Sequence, residues 1–222
     1  MIETTISVQG KGAIHVVPDV TRLEITIARV FPDYQKAFAQ GKENSSWIVK
    51  ILEYNKKPGK LAKTVKFDIS DHEENEYDEK GHYIGKLCEG FDLVQCIKID
   101  LPIDNILTTN IVRGIGKFVP GAQINIGYTV QDSRPHQLKM LERAVKDAKE
   151  KARIMAEAAE CTLGKVTDIN YKYSNVSVYS QARNIHDSKE AFASTADSLD
   201  ITPDDLVMSD TVEVTFELVN PS

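Results

Sequence analysis

The sequence predicts an α+β protein in which mostly antiparallel sheet is covered by long amphipathic helices. Three observations predict it. Apolar and polar residues alternate over several separate stretches, the period of strands with one face buried and one face wet. Between these lie stretches whose apolar residues recur at every third and fourth position, the period of helices with one buried stripe. The two kinds are mixed along the chain, and the strand pairs look antiparallel.

The first strands are read from TTISVQGKGAIHVVPDVTRLEITIARV. Ile6 and Val8 alternate with Ser7 and Gln9, and Leu23, Ile25 and Ile27 alternate with Arg22, Glu24 and Thr26. Gly10, Gly12 and the Pro18-Asp19 pair are expected to mark bends or a bulge between them. After Pro32-Asp33 a helix is expected with Tyr34, Ala37, Phe38, Gly41, Ser45, Ile48 and Leu52 on its inner face, ended by Pro58-Gly59. Val65, Phe67 and Ile69 then lead through SDHEENEYDEKGHY into a long alternating run from Phe91 to Leu101, which reads as a hairpin with a charged tip at 71–82. Residues 103–118 predict a second helix carrying Ile103, Ile106, Leu107, Gly114 and Phe118 on one face, and Ile124 to Val130 another strand.

The third helix is LERAVKDAKEKARIMAEAAE, residues 141–160. Asp132 or Ser133 is its expected N-cap, Pro135 lies in its first turn, and Gly164 is the expected stop. Leu141, Ala144, Val145, Ala148, Ala152, Met155, Ala156 and Ala159 fall within an arc about 120° wide. A contact line made mostly of methyl groups lets a helix backbone come close to a flat neighbour, so this helix is expected to lie on a sheet. Glu142 with Lys146 and Arg153 with Glu157 sit at i,i+4 spacing on the opposite, wet face. A coiled coil would need larger residues at its a and d positions. Val166, Ile169 and Tyr171 suggest one more strand, residues 174–202 turn polar and irregular, and Val212, Val214, Phe216 and Leu218 alternate in the last strand.

Composition bounds the function. The chain has 222 residues and a formal net charge of -6. That is not the electrostatics of nucleic-acid binding, which gathers excess Lys and Arg on one face. No segment reaches the roughly 18 apolar residues of a membrane-spanning helix. The start, MIETTISVQG, lacks a basic and then apolar leader, so the expected location is the cytoplasm, or the periplasm or exterior if a leader has been removed. Cys88, Cys96 and Cys161 are odd in number, and the first two are eight residues apart on one extended run, about 26 Å at strand rise. They are read as free thiols of a reducing compartment, packed as small hydrophobes.

No catalytic constellation is found, so the protein is expected not to be an enzyme and no cofactor is expected. Gly10-Lys11-Gly12 is followed by a strand, where a phosphate loop would open a helix. There is no G-x-S-x-G elbow. Cys161 follows the C-terminal end of a helix, where the dipole disfavours a thiolate. The acidic run 71–82 fails the calcium-loop pattern because Glu76 stands where Gly is required. No metal is assigned, with His72, His82 and Asp78 as the candidates if there were one, the two histidines facing each other across the hairpin. Trp47 and Tyr54 point about 140–160° away from the inner stripe of the first helix and are the candidates for an oligomer or partner contact, or else are covered by another part of the chain.

Read together, ISVQGKGAIHVVPDVTRLEITI, CEGFDLVQCIKIDLP, LERAVKDAKEKARIMAEAAECTLGKVTDI and ITPDDLVMSDTVEVTFEL, in that order, resemble the SIMPL-domain family, a family of unknown function. The resemblance spans nearly the whole chain and implies one SIMPL-like α+β domain over 1–222, with the hairpin tip at 71–82 and the polar segment at 174–202 as variable additions. It implies no catalytic residues. Its bacterial members are often exported, some form large ring-like oligomers and have links to oxidative-stress tolerance, and an animal relative is a signalling adaptor. The expectation is therefore a non-catalytic domain that self-associates or binds a protein partner, with a small-molecule or metal site near the 71–82 hairpin as the alternative.

Overall fold

The computed structural model describes residues 4–171, 180–185 and 202–219. It is α+β with antiparallel sheets, and the chain divides into two compact units assembled from interleaved segments. Three helices are present among the described residues, fewer than a continuous helical cover would need.

In the first unit, strands β1 (Thr5–Val16), β8 (Leu206–Val219) and β6 (Thr162–Asn170) form an antiparallel sheet in the order β1-β8-β6. Helix α3 (Arg134–Ala158) packs on β1 and β8, with Ala144, Ala148 and Ala152 fully buried against Val8, Val212, Val214 and Phe216. The alanine column faces inward as its period predicts, and of that arc only Met155, in the last turn, and Ala159, at the C-cap, face water.

The glycines of β1 overturn their expected role. Gly10 and Gly12 are not bends: they lie inside one unbroken ladder, opposite Val212 and Asp210. A Cβ added at Gly10 would stand 2.6 Å from Ala148 N and closer still to Ala144 O, and one at Gly12 would stand 2.9 Å from Ala144 N. Both glycines are there because helix backbone rests directly on strand backbone, alanine on one side and glycine on the other. Three side chains at i,i+4 spacing on α3 then reach over the outer edge of β1. Arg143 donates to Ala13 O (2.7 Å), Asp147 accepts from Lys11 N (2.7 Å) and Lys151 donates to Gln9 O (3.3 Å). Helix side chains thus take the place of a neighbouring strand, which this edge lacks among the described residues.

The expected stop at Gly164 is also corrected. The helix ends in a Schellman arrangement, with Cys161 N bonded to Ala156 O at 2.9 Å and Glu160 N to Glu157 O at 3.0 Å. Glu160 takes the left-handed position at φ 57°, and Gly164 lies in β6.

The second unit is a five-stranded antiparallel sheet in the order β3-β4-β2-β5-β7, with β2 Val20–Phe31, β3 Ala62–Tyr77, β4 Tyr83–Pro102, β5 Ala122–Thr129 and β7 Ser180–Ile185. Helices α1 (Tyr34–Tyr54) and α2 (Asn105–Phe118) pack on it, placing Ile48, Ile51, Leu52, Ile111, Val112 and Ile115 against Leu23, Ile25, Ile97, Ile99 and Ile126. Asp33 and Asp104 cap the two helices by accepting from Lys36 N and Leu107 N. Gln95 of β4 is fully buried and donates to Gly41 O (3.2 Å) and Ser45 Oγ (2.7 Å), a polar latch that fixes where α1 crosses the sheet.

Two predicted helix faces are corrected. Tyr34 and Phe38 are half exposed, and the inner line of α1 runs through Ala37, Gly41, Asn44, Ile48, Ile51 and Leu52. In α2 the buried residues are Thr108, Thr109, Ile111, Val112 and Ile115, while Ile106 is exposed and Ile103 precedes the cap. The hairpin is longer than expected: β3 continues to Tyr77, so most of the acidic run is strand and the turn is confined to residues 78–82. Within the segment 174–202, read as irregular, residues 180–185 form β7; residues 174–179 and 186–201 lie outside the described residues.

Candidate functional site

The C-terminal half of α1 and the length of α2 lie side by side. Gly114 permits this, since a Cβ there would stand 2.8 Å from Ile51 Cγ2. The shallow groove between the helices has a volume of about 610 Å³ and is lined by Trp47, Tyr54, Asn110, Gly114 and Phe118, among others. Trp47 is half-buried and its indole stacks on Phe118, with ring centroids 4.7 Å apart and planes 11° from parallel. Trp47 Nε1 donates to Glu43 at 3.4 Å. Lys50 Nζ lies 4.8 Å from the Trp47 ring and Lys117 Nζ 5.1 Å from the Phe118 ring, so an ammonium sits over each member of the stack. Tyr54 is 89% exposed at the rim.

Of the two aromatics singled out from the sequence, Tyr54 thus faces solvent, while Trp47 is partly covered by α2. Phe118, Lys50, Lys117 and Gly114 complete the groove. Sequence reasoning placed Phe118 and Gly114 on an inner face and left the lysines unremarked, because the neighbour that joins these residues is a separate helix some sixty positions along the chain.

The histidines belong to the hairpin. His82 Nδ1 lies 3.1 Å from Asp78, whose carboxylate also accepts from the backbone N–H groups of Lys80 and His82 at 2.8 Å each. Those backbone bonds, His82 first, hold the Asp78 carboxyl below its ordinary range. His72 lies elsewhere on the ladder, opposite Gly90, with Nδ1 3.0 Å from Asp92 and Nε2 3.9 Å from Glu74. The hydrogen bond to Asp92 raises the His72 pKa above its usual value. The pairing does not set His72 and His82 opposite each other, since His82 lies in the turn beyond the Tyr77–Tyr83 pair. Among the described residues no group of three or more His, Cys, Asp or Glu side chains is placed to hold a metal ion.

None of the three cysteines forms a disulfide among the described residues. Cys88 is exposed rather than packed, and Cys88 and Cys96 lie on the single strand β4, as their spacing predicts. No helix of the described residues is long and apolar enough to cross a membrane.

No curated protein matches the chain. A family model does, over residues 6–216, and it takes in the described core of both units. The chain therefore belongs to the SIMPL family, proteins of unknown function (DUF541).

Proposed function

We propose that the protein is a non-catalytic module that self-associates or docks a protein partner through the face formed by α1 and α2, and that it serves in a stress response. The observation that carries this reading is the Trp47–Phe118 stack, open on one side, with Tyr54 beside it. Stacked aromatics at the mouth of a groove match the composition of interface centres, where Trp, Tyr and other large rings concentrate, and the flanking lysines belong to the charged rim of such a contact. Cysteines without a disulfide among the described residues, with Cys88 exposed, support a reducing and so cytoplasmic setting.

Light scattering on the purified chain, combined with a pull-down, tests the reading. The expected result is association at micromolar concentration, or capture of a partner, weakened by Tyr54→Ala and by Trp47→Ala. A strict monomer that captures nothing defeats it. The alternative is a small-molecule or metal-binding protein with a site near the 71–82 hairpin; the groove of about 610 Å³, within the size range of ligand sites, favours a small molecule but lies between α1 and α2, away from that hairpin. A thermal-shift screen, with elemental analysis of wild type and of His72→Ala/His82→Ala, separates the two readings.

A further inference from the structure

The hairpin formed by β3 and β4 runs on past the sheet that supports it. The last residue of β2 to pair with β4 is Phe31, opposite Phe91, yet the β3–β4 ladder continues to Tyr77 opposite Tyr83. Beyond that point the two strands have no third neighbour among the described residues, and none of residues 73–89 is buried. A two-stranded ribbon of this kind is marginal by itself in water, and this one presents Tyr77, Tyr83, Ile84 and Leu87, each at least half exposed. It is also strongly acidic: residues 71–89 carry seven carboxylates against two lysines. One of those lysines, Lys86, is held by Glu73 at 2.6 Å, while Glu76 and Glu79 have no ion pair among the described residues.

The other end of the same unit has the opposite character. Lys50 and Lys117 stand over the aromatic groove without a carboxylate partner among the described residues, and Lys56, Lys57, Lys60 and Lys63 follow directly after α1. An arm with exposed tyrosines and surplus carboxylates, and a groove with stacked rings and surplus ammonium groups, are complementary in both shape class and sign.

The arm cannot reach its own groove. It leaves the sheet beside the start of α1, where Tyr34 meets Phe91 with ring centroids 6.0 Å apart. Trp47 lies thirteen residues further along α1, about 20 Å at helical rise. The arm extends the ladder another eight residues beyond Phe91, about 26 Å at strand rise. The β3 strand begins just after the C-terminal end of α1 and runs toward the arm, so the two features lie at opposite ends of the β3–β4 ladder.

We infer that the acidic β3–β4 arm of one copy seats in the α1–α2 groove of a second copy, Tyr77 and Tyr83 against the Trp47–Phe118 stack and Glu76 and Glu79 opposite Lys50 and Lys117. This rests on the proposed docking face and names what occupies it. The contact joins two different surfaces, so each copy gives an arm and receives one.

Charge reversal at exposed positions tests it without disturbing the core. Two variants of the full chain are made, Glu76→Lys/Glu79→Lys in the arm and Lys50→Glu/Lys117→Glu in the groove, and their association is measured by sedimentation at low and at high salt. Wild type is expected to associate, more weakly at high salt, and each variant alone is expected to lose at least tenfold in affinity. An equimolar mixture of the two variants is expected to associate again, because a basic arm then meets an acidic groove and an acidic arm a basic one. If wild type associates, Trp47→Ala abolishes it and the arm reversal leaves it intact, the arm is not the occupant, although the docking face stands. A mixture that fails to recover also overturns the inference. A wild type that stays monomeric overturns it outright, and the pull-down then decides the docking face independently.

Discussion

Gly10→Ala is the sharpest test of how α3 sits on its sheet. The added methyl would stand 2.6 Å from Ala148 N and 2.7 Å from Ala148 Cβ, and nearer again to Ala144 O, where Cβ atoms in proteins essentially never approach under 3.0 Å. These are backbone and alanine atoms with no rotamer to escape into, so helix and strand must part by on the order of 1 Å. A gap of that size forfeits about a quarter to a half of each dispersion contact along the line, each worth about 0.1–0.2 kcal/mol. Some twenty such contacts lose roughly 1–1.5 kcal/mol together, and stretching the bonds from Arg143, Asp147 and Lys151 to β1 adds about 1–2 kcal/mol more. Against this, alanine restricts the unfolded chain and returns about 0.4–1 kcal/mol. The expected net loss is about 1–3 kcal/mol, the ordinary range of overpacking. For a chain of this length that lowers the melting temperature by roughly 2–12 °C. Gly85→Ala is the control: nothing lies within 4 Å of its added methyl, so it should melt with wild type or slightly above it. Thermal unfolding followed by circular dichroism reads both. A Gly10→Ala protein that melts within a degree of wild type would show that α3 rests loosely and that the glycine–alanine contact does not define the unit.

Other consequences are measured with the same means. Ala148→Leu pushes on the same contact from the helix side, where Ala148 is fully buried, and should cost about 1–3 kcal/mol in a denaturant melt. Glu160→Gly should stabilise by about 1 kcal/mol, because an L-residue at φ 57° strains the backbone where glycine does not; a loss in the same melt would contradict this. Asp147→Ala removes the acceptor for Lys11 N and the partner of Lys151, and should lower stability by about 1 kcal/mol while speeding exchange of the Lys11 amide. Bonds from Lys151 and then from Lys11 N hold the Asp147 carboxyl below its ordinary value. Its contribution is therefore present above the ordinary aspartate range and is lost as pH falls through the lowered folded value. His72 behaves oppositely: its bond to Asp92 raises the folded value, so the arm's base is secured below the ordinary histidine pKa and loosens as pH rises through the folded one. Proton NMR should give a His72 midpoint above that of an exposed histidine, and Asp92→Asn should bring it down.

What the sequence disclosed, and what it hid, follows from the range of each interaction. Alternation at Leu23, Ile25 and Ile27 and at Val212, Val214 and Phe216 marked buried strand faces correctly, because side-chain direction is set by neighbours two residues away. The column Ala144, Ala148, Ala152 was legible for the same reason, at helical period. The partner of that column was not. Gly10 and Gly12 have the one-face spacing of a strand, but glycine also marks turns, and only the tertiary approach of α3 decides between the two. Tyr34 and Phe38 were assigned inward because they are large and apolar, whereas the latch from Gln95 to Gly41 and Ser45 sets the line of contact on the smaller residues. The groove was half visible: Trp47 and Tyr54 stand out as aromatics off the inner stripe, but Phe118 and the lysines join them only when α2 arrives beside α1.

The two units treat strand edges in opposite ways, and the contrast bears on function. Unpaired edges invite other chains, and proteins commonly cover or charge them. On β1 the outward carbonyls of Gln9 and Ala13 and the N–H of Lys11 are each occupied by a side chain from α3, an arrangement that needs Arg143, Asp147 and Lys151 at consecutive turns. The β3–β4 arm has no such cover from any described element: beyond Phe91 both of its edges are open, its tyrosines are exposed, and its charges are almost all of one sign. Like charges along a thin ribbon repel one another, which works against the ribbon in isolation and is relieved when cationic groups approach. The arm therefore stands to gain from a basic partner surface, and the same chain supplies one at the lysine-flanked groove between α1 and α2.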